Sequence, residues 1–109
     1  MAVKSILTDS PKNLIKKYYQ VLKKNGIKVD KIILFGSYVM GKEKPWSDLD
    51  VCVVSKEFGK DHYDEMVLLN KLTGKVDNMI EAHPYHPDDL NDPFDPLAHE
   101  ILLHGQTIV

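Results

Sequence analysis

Residues 48–54 read Asp-Leu-Asp-Val-Cys-Val-Val, and this run constrains the fold more than any other stretch of the chain. Successive side chains of a strand point to opposite faces. Leu49, Val51 and Val53 then make an apolar face, while Asp48, Asp50 and Cys52 lie on the other. The segment reads as a strand buried on one side, with two carboxylates close together on the opposite side. Charges so placed repel, and keeping both ionised needs a cation between them. Mg²⁺ suits such a pair, because it takes oxygen ligands and is often held by one or two carboxylates plus substrate phosphates. Alone, Asp-x-Asp is also what an ordinary solvated strand face looks like.

The flanking pattern supplies a sheet around this strand and helices to cover it. Residues 31–35 (KIILF) form a short continuous apolar run, as a buried strand does. Residues 36–41, bounded by two glycines, turn away and lead into a helical turn; residues 43–47, with Pro45, are a loop. Ser10-Pro11 opens a helix, since serine caps free N–H groups and proline fits the first helical position. Leu14, Ile15, Tyr18, Val21 and Leu22 give that helix one apolar face, and Gly26 ends it. Residues 61–73 read as a second helix packing through Tyr63, Met66, Val67, Leu69 and Leu72, closed by Gly74. Residues 76–83 read as a third strand stopped at Pro84. Asp77, Met79, Glu81 and His83 share one face of it, and Asn78, Ile80 and Ala82 share the other. Residues 84–93 read as a loop. Asp95-Pro96 caps a last helix through His104, and Thr107-Ile108-Val109 adds a short edge strand. The expected fold is α/β (α+β), with helices packed on a small mixed sheet. The expected organisation is one domain over residues 1–109, burying about two-thirds of its unfolded surface and leaving any site shallow.

Gly36-Ser37 is the second chemical element. Glycine lets the backbone approach a ligand closely, successive N–H groups in such a turn form an anion-binding nest, and the serine hydroxyl can contact a phosphate oxygen. A plain turn with a capping serine has the same sequence. The two elements together are more specific: an apolar run, Gly36-Ser37, a ten-residue spacer, then Asp48-Leu49-Asp50 in a strand. This order resembles the motif of the nucleotidyltransferase superfamily of the DNA polymerase β type. It is most similar to the minimal nucleotidyltransferases, which include the antitoxin partners of HEPN-domain toxins.

The resemblance implies a polymerase β palm-like fold and a third carboxylate on a neighbouring strand. Glu81 is favoured, since it sits mid-strand between Ile80 and Ala82; Asp77, nearer the preceding turn, is the alternative and also suits a capping role. The resemblance further implies Mg²⁺-dependent (or Mn²⁺-dependent) transfer of a nucleoside monophosphate, AMP from ATP or another nucleoside triphosphate, to a hydroxyl. Asp48, Asp50 and Glu81 then hold metal, and Gly36 and Ser37 bind the phosphates. By the same resemblance the acceptor is a tyrosine of a partner HEPN toxin. One departure stands out: where relatives often carry basic residues after Gly-Ser, this chain has Tyr38-Val39-Met40. Two other functions compete. One is an antitoxin that neutralises its partner by contact with weak catalysis or none. The other is a small-molecule nucleotidyltransferase of the antibiotic-modifying kind, which usually carries a second, drug-binding domain.

Composition narrows the partners. All 14 basic residues are lysines, against 16 acidic residues, for a net charge of −2. A chain without arginine is a poor duplex nucleic-acid binder. Lys12, Lys16, Lys17, Lys23, Lys24, Lys28 and Lys31 form either a solvated helix face or an electropositive flank. The single Cys52 reads as a buried thiol of a cytoplasmic protein, no run approaches the roughly 20 apolar residues of a membrane span, and the N-terminus has no signal-peptide core. Irregular spacing of His83, His86, His99 and His104 argues against zinc. His83 shares the face of Glu81 and so can reach a nucleotide or acceptor, whereas His99 and His104 read as helix-surface positions. Trp46 reads as an anchor packed on the rim of the site, with a platform for a base as the alternative. The apolar segment 94–97 suggests a protein partner or a homo-oligomer.

Overall fold

The computed structural model describes residues 6–109; residues 1–5 of the expected domain, including the N-terminus read as lacking a signal-peptide core, lie outside the described residues. Helix α1 (Pro11–Lys24) starts where the Ser10 side chain accepts a hydrogen bond from the Asn13 N–H, and Lys23 and Lys24 lie at its negative C-terminal end. Leu14, Ile15, Tyr18 and Leu22 are its buried stripe. Strand β1 (Lys31–Phe35) follows, then the single turn α2 (Ser37–Met40), strand β2 (Leu49–Val54), helix α3 (His62–Thr73) and strand β3 (Ile80–Tyr85). A 3₁₀ turn (Pro87–Asn91), helix α4 (Pro96–His104) and the short strand β4 (Gln106–Thr107) complete the chain. Asp95 caps α4 by accepting from the N–H groups of Leu97 and Ala98.

The sheet is mixed, in the order β3-β2-β1-β4. β1 pairs antiparallel with β2 and with β4. β2 pairs parallel with β3, a connection that needs a crossover, and α3 supplies it. One face of the sheet packs Ile32, Leu34, Leu49, Val51, Val53, Ile80 and Ala82 beneath Leu14, Ile15, Tyr18 and Leu22 of α1 and Leu69 and Leu72 of α3. The buried Tyr18 hydroxyl donates to the Leu69 carbonyl at 2.8 Å, joining the two helices. On the other face Ile33, Phe35, Cys52, Val54 and Tyr85 form a second core with Leu90, Ala98 and Ile101. No helix among the described residues is long and apolar enough to cross a membrane.

Four local expectations need correction. β3 begins at Ile80 rather than residue 76, because residues 73–80 close a turn: the N–H groups of Val76 and Asp77 reach the Thr73 carbonyl, and the Met79 N–H reaches the Asp77 carboxylate at 2.8 Å. The strand then runs through Pro84 to Tyr85 instead of stopping. β3 is an edge strand whose Met79 and Tyr85 carbonyls face β2, while both backbone groups of Ala82 face outward. Pro84 has the parity of Ala82, so its missing N–H costs the ladder nothing. The expected loop after it contains the 3₁₀ turn that buries Leu90. Finally, Tyr63 (75% exposed) and Val67 do not pack. At about 100° per residue Val67 lies on the far side of α3 from the buried Leu69.

Asp77 is the polar tie of this architecture. Its carboxylate accepts from the Thr8 N–H at 3.0 Å, the Thr8 hydroxyl at 2.9 Å and the Met79 N–H at 2.8 Å. Burial pushes its pKa up, but these donors outweigh burial and hold it below the usual 3.8. An aspartate depressed in this way stabilises the folded chain above pH 3.8 and loses that contribution as pH falls through its folded value. Asp77→Ala is therefore expected to cost about 1–3 kcal/mol in urea unfolding at neutral pH, with the gap to wild type closing as the pH is lowered below that range.

Candidate active site

β1 ends at Phe35, and the chain turns at Gly36 with φ 80° and ψ −150°, a conformation essentially confined to glycine. The turn is held by the Gly36 carbonyl, which accepts from the N–H groups of Val39 and Met40 at 3.2 Å each. A side chain at residue 36 would collide with Asp50: a Cβ there would lie 2.5 Å from Asp50 Oδ2. The Gly36 backbone thus lies directly against the Asp50 carboxylate, with Ser37 opening α2 beside it.

Asp50 sits in the second position of β2, with Phe35 opposite on one side and Glu81 abreast on the other. The cover formed by α4 and the 3₁₀ turn buries Cys52 completely but stops short of this row: the side chains of Asp50 and Glu81 are 25% and 51% exposed. Asp48, exposed just before β2, is near enough for its charge to be felt at Glu81. His83, one step further along the same face of β3, points Nε2 to 3.9 Å from Asp50 Oδ1 and 3.8 Å from Glu81 Oε1. The Phe35 ring meets the imidazole edge-on, with centroids 5.3 Å apart. Ligand atoms of Asp50, Glu81 and His83 lie within 4.8 Å of one another.

Electrostatics follow from this crowding. Burial and then the Asp50 charge raise the Glu81 pKa above 4.5; His83 lowers it, and Asp48 raises it further. Carboxylates brought together at a half-covered surface, one of them pushed toward its neutral form, are a donor set that a divalent cation fits. Cys52 beneath them is inert, because burial pushes its thiol up to about 12.

Gly36, Ser37, Asp48, Asp50 and Glu81 are thus brought to one end of the sheet. Asp77 takes no part in the cluster: its carboxylate is used by Thr8 and Met79 on the turn before β3. Trp46 is 68% exposed, so the anchor reading fails. His83 joins this cluster; its shared parity with Glu81 is the sequence signal for it, and the register of β3 with β2 adds its nearness to Asp50. A concavity of about 420 Å³ lined by Tyr19, Lys23, Gly26, Ile27, Lys28 and Val29 includes none of the carboxylates. Exposed Glu81 and Asp48 leave the acidic site open to solvent on one side.

The model of the nucleotidyltransferase domain family matches residues 15–96, and the chain belongs to that family. No curated protein matches the chain. Among solved structures it is similar to a toxin–antitoxin crystal structure with AMP-PNP, at TM-score 0.61 and 23% identity, over 90% of this chain and 72% of the other. A second similar structure is a mutant of the toxin–antitoxin pair MntA–HpeT, at TM-score 0.59 and 19% identity, over 86% of this chain and 71% of that one. At these identities the likeness is one of fold.

Two glycine substitutions separate backbone strain from damage to the site. Gly36→Ala is expected to cost about 1–3 kcal/mol and, by displacing Asp50, to weaken any divalent-cation binding at the carboxylates roughly 10–100-fold. Gly41 also has positive φ (67°), but a Cβ there meets nothing within 4 Å. Gly41→Ala is expected to lower the melting temperature while leaving any such cation affinity, measured by calorimetry, unchanged.

Proposed function

We propose that this nucleotidyltransferase domain transfers AMP from ATP to a hydroxyl on a protein partner, a tyrosine of a HEPN-type toxin, and so acts as an antitoxin. The observation that carries the reading is the placing of Asp50 beside Glu81 and against the Gly36 turn, so that two candidate metal ligands adjoin a turn whose backbone can approach a phosphate. The partner class rests on the resemblance of the Gly36-Ser37 and Asp48-Leu49-Asp50 elements to minimal nucleotidyltransferases. It is supported by structural neighbours that are toxin–antitoxin proteins, one of them crystallised with AMP-PNP. An open site suits a macromolecular acceptor, and the buried lone thiol suits a cytoplasmic setting.

Asp48 and Asp50 would hold Mg²⁺ and so orient the triphosphate, with Glu81 completing the set; when bound, the metal would supply charge stabilisation at the attacking and leaving oxygens. The Gly36-Ser37 backbone and the Ser37 hydroxyl hold the β- and γ-phosphates. The acceptor oxygen bonds to the α-phosphorus, pyrophosphate leaves, and the hydroxyl proton passes to Glu81.

A second reading, neutralisation by contact alone, is favoured by Tyr38-Val39-Met40 in place of basic residues after Ser37 and by the exposed apolar surface of Phe94 (90% exposed), Leu102 and Leu103. Asp48→Ala separates the two: retained binding of the toxin with lost neutralisation supports transfer, and retained neutralisation supports contact.

Calorimetry of ATP with and without Mg²⁺ is the direct test. Binding is expected to need both the metal and Asp48 and Asp50, and to vanish in Asp48→Ala/Asp50→Ala; metal-independent binding, or none to any triphosphate, overturns the transfer reading. Because Glu81 titrates above 4.5, metal binding has to displace its proton at a pH where an ordinary glutamate is already ionised. Mg²⁺ affinity is expected to fall by up to about tenfold per pH unit as pH drops through that raised value, and this slope should flatten in Glu81→Gln.

A further inference from the structure

We propose that His83 is itself a metal ligand, and that Asp50, Glu81 and His83 form a mixed oxygen–nitrogen position that prefers Mn²⁺ to Mg²⁺. The inference rests on the reading above, in which the carboxylates hold a divalent cation, and it adds a residue and a metal preference to it.

The geometry comes from the sheet. Parallel pairing sets Asp50 abreast of Glu81 and Cys52 abreast of His83, so the imidazole stands on the site face one step from both carboxylates. Its distances to Asp50 Oδ1 and Glu81 Oε1, 3.9 and 3.8 Å, are too long for hydrogen bonds. The three atoms surround a gap. An octahedral ion with bonds of about 2.1 Å sets its ligands about 3.0 Å apart when adjacent and about 4.2 Å apart when opposite. The observed separations, all within 4.8 Å, need a closure of less than about an ångström. His83 is also held for the task. Phe35 packs on its ring edge-on and its side chain is only 18% exposed, while Nε2 remains aimed at the two oxygens.

The chemistry then selects the metal. Mg²⁺ is a hard ion bound through oxygen and gains little from imidazole. Mn²⁺ keeps the taste for carboxylates but sits in the first-row series that accepts histidine nitrogen. Asp48 lies outside the three-residue group. With Asp50 it would form an all-oxygen position that suits the Mg²⁺ of an incoming triphosphate, distinct from the position with one nitrogen ligand.

The test uses the full chain and metal alone, without nucleotide. Wild type is expected to bind Mn²⁺ at least roughly tenfold more tightly than Mg²⁺, and pulsed electron paramagnetic resonance of the Mn²⁺ form should show ¹⁴N coupling from a bound imidazole. His83→Gln is expected to lose that coupling and to weaken Mn²⁺ binding roughly 10–100-fold, with Mg²⁺ affinity nearly unchanged. Bound Mn²⁺ without nitrogen coupling in wild type overturns the proposal, and that measurement decides even if His83→Gln does not fold. If Mg²⁺-ATP binding meanwhile depends on Asp48 and Asp50, only the His83 inference falls. If wild type binds neither metal, with or without ATP, the transferase reading falls with it.

Discussion

The structure turns on β2 being paired along both of its edges. A central strand has no freedom to slide, because a shift of one residue would send Leu49, Val51 and Val53 away from α1 and α3. That fixed register sets the position of Asp50. The antiparallel partner brings the end of β1, and hence Gly36, against one side of the carboxylate; the parallel partner brings Glu81 to the other. Carboxylate repulsion, unfavourable by itself, is held in place by apolar burial on the opposite face of the same residues' strands.

The second core explains why the chemistry is confined to one end. The face bearing Asp50 also bears Cys52 and Val54, which α4 and the 3₁₀ turn cover with Leu90, Ala98 and Ile101. Asp95 links that cover to the sheet: it caps α4 and accepts from the Tyr85 hydroxyl at 2.8 Å. One face of one strand thus passes from solvated carboxylate to dry thiol within two residues, and the boundary is where the helix ends its coverage.

Much of this was legible in the sequence, for identifiable reasons. Ser10-Pro11 and Asp95-Pro96 fixed two helix starts by capping chemistry, which is local, and the observed helices begin at Pro11 and Pro96. The alternation in 48–54 separated Asp50 from its apolar neighbours. What failed depends on partners distant in the chain. Residues 76–79 have strand-like alternation, but Asp77 finds Thr8, 69 positions away, and the segment becomes a turn. Tyr63 and Val67 are apolar and helical in spacing, yet which arc of α3 faces the sheet is decided by Leu69 and Leu72. Nearness of His83 to Asp50 is a matter of strand register, and no pattern within one strand reveals its neighbour's offset.

The outward-facing backbone groups of Ala82 are taken up by Asn70 of α3, and this governs how the sheet meets other chains. The Asn70 amide accepts from the Ala82 N–H and donates to the Ala82 carbonyl, both at 2.9 Å, on the outer side of β3. The Ile80 N–H is taken by the Asp77 carbonyl, and Pro84 has none to offer. Every outward donor position of this edge strand is occupied or missing, and the opposite edge of the sheet is the two-residue β4. A foreign strand finds no template at β3 for adding itself to the sheet, in the manner of peptide recognition by β-augmentation or of edge-to-edge aggregation. Association at this side has to read side-chain shape and charge rather than main-chain hydrogen bonds.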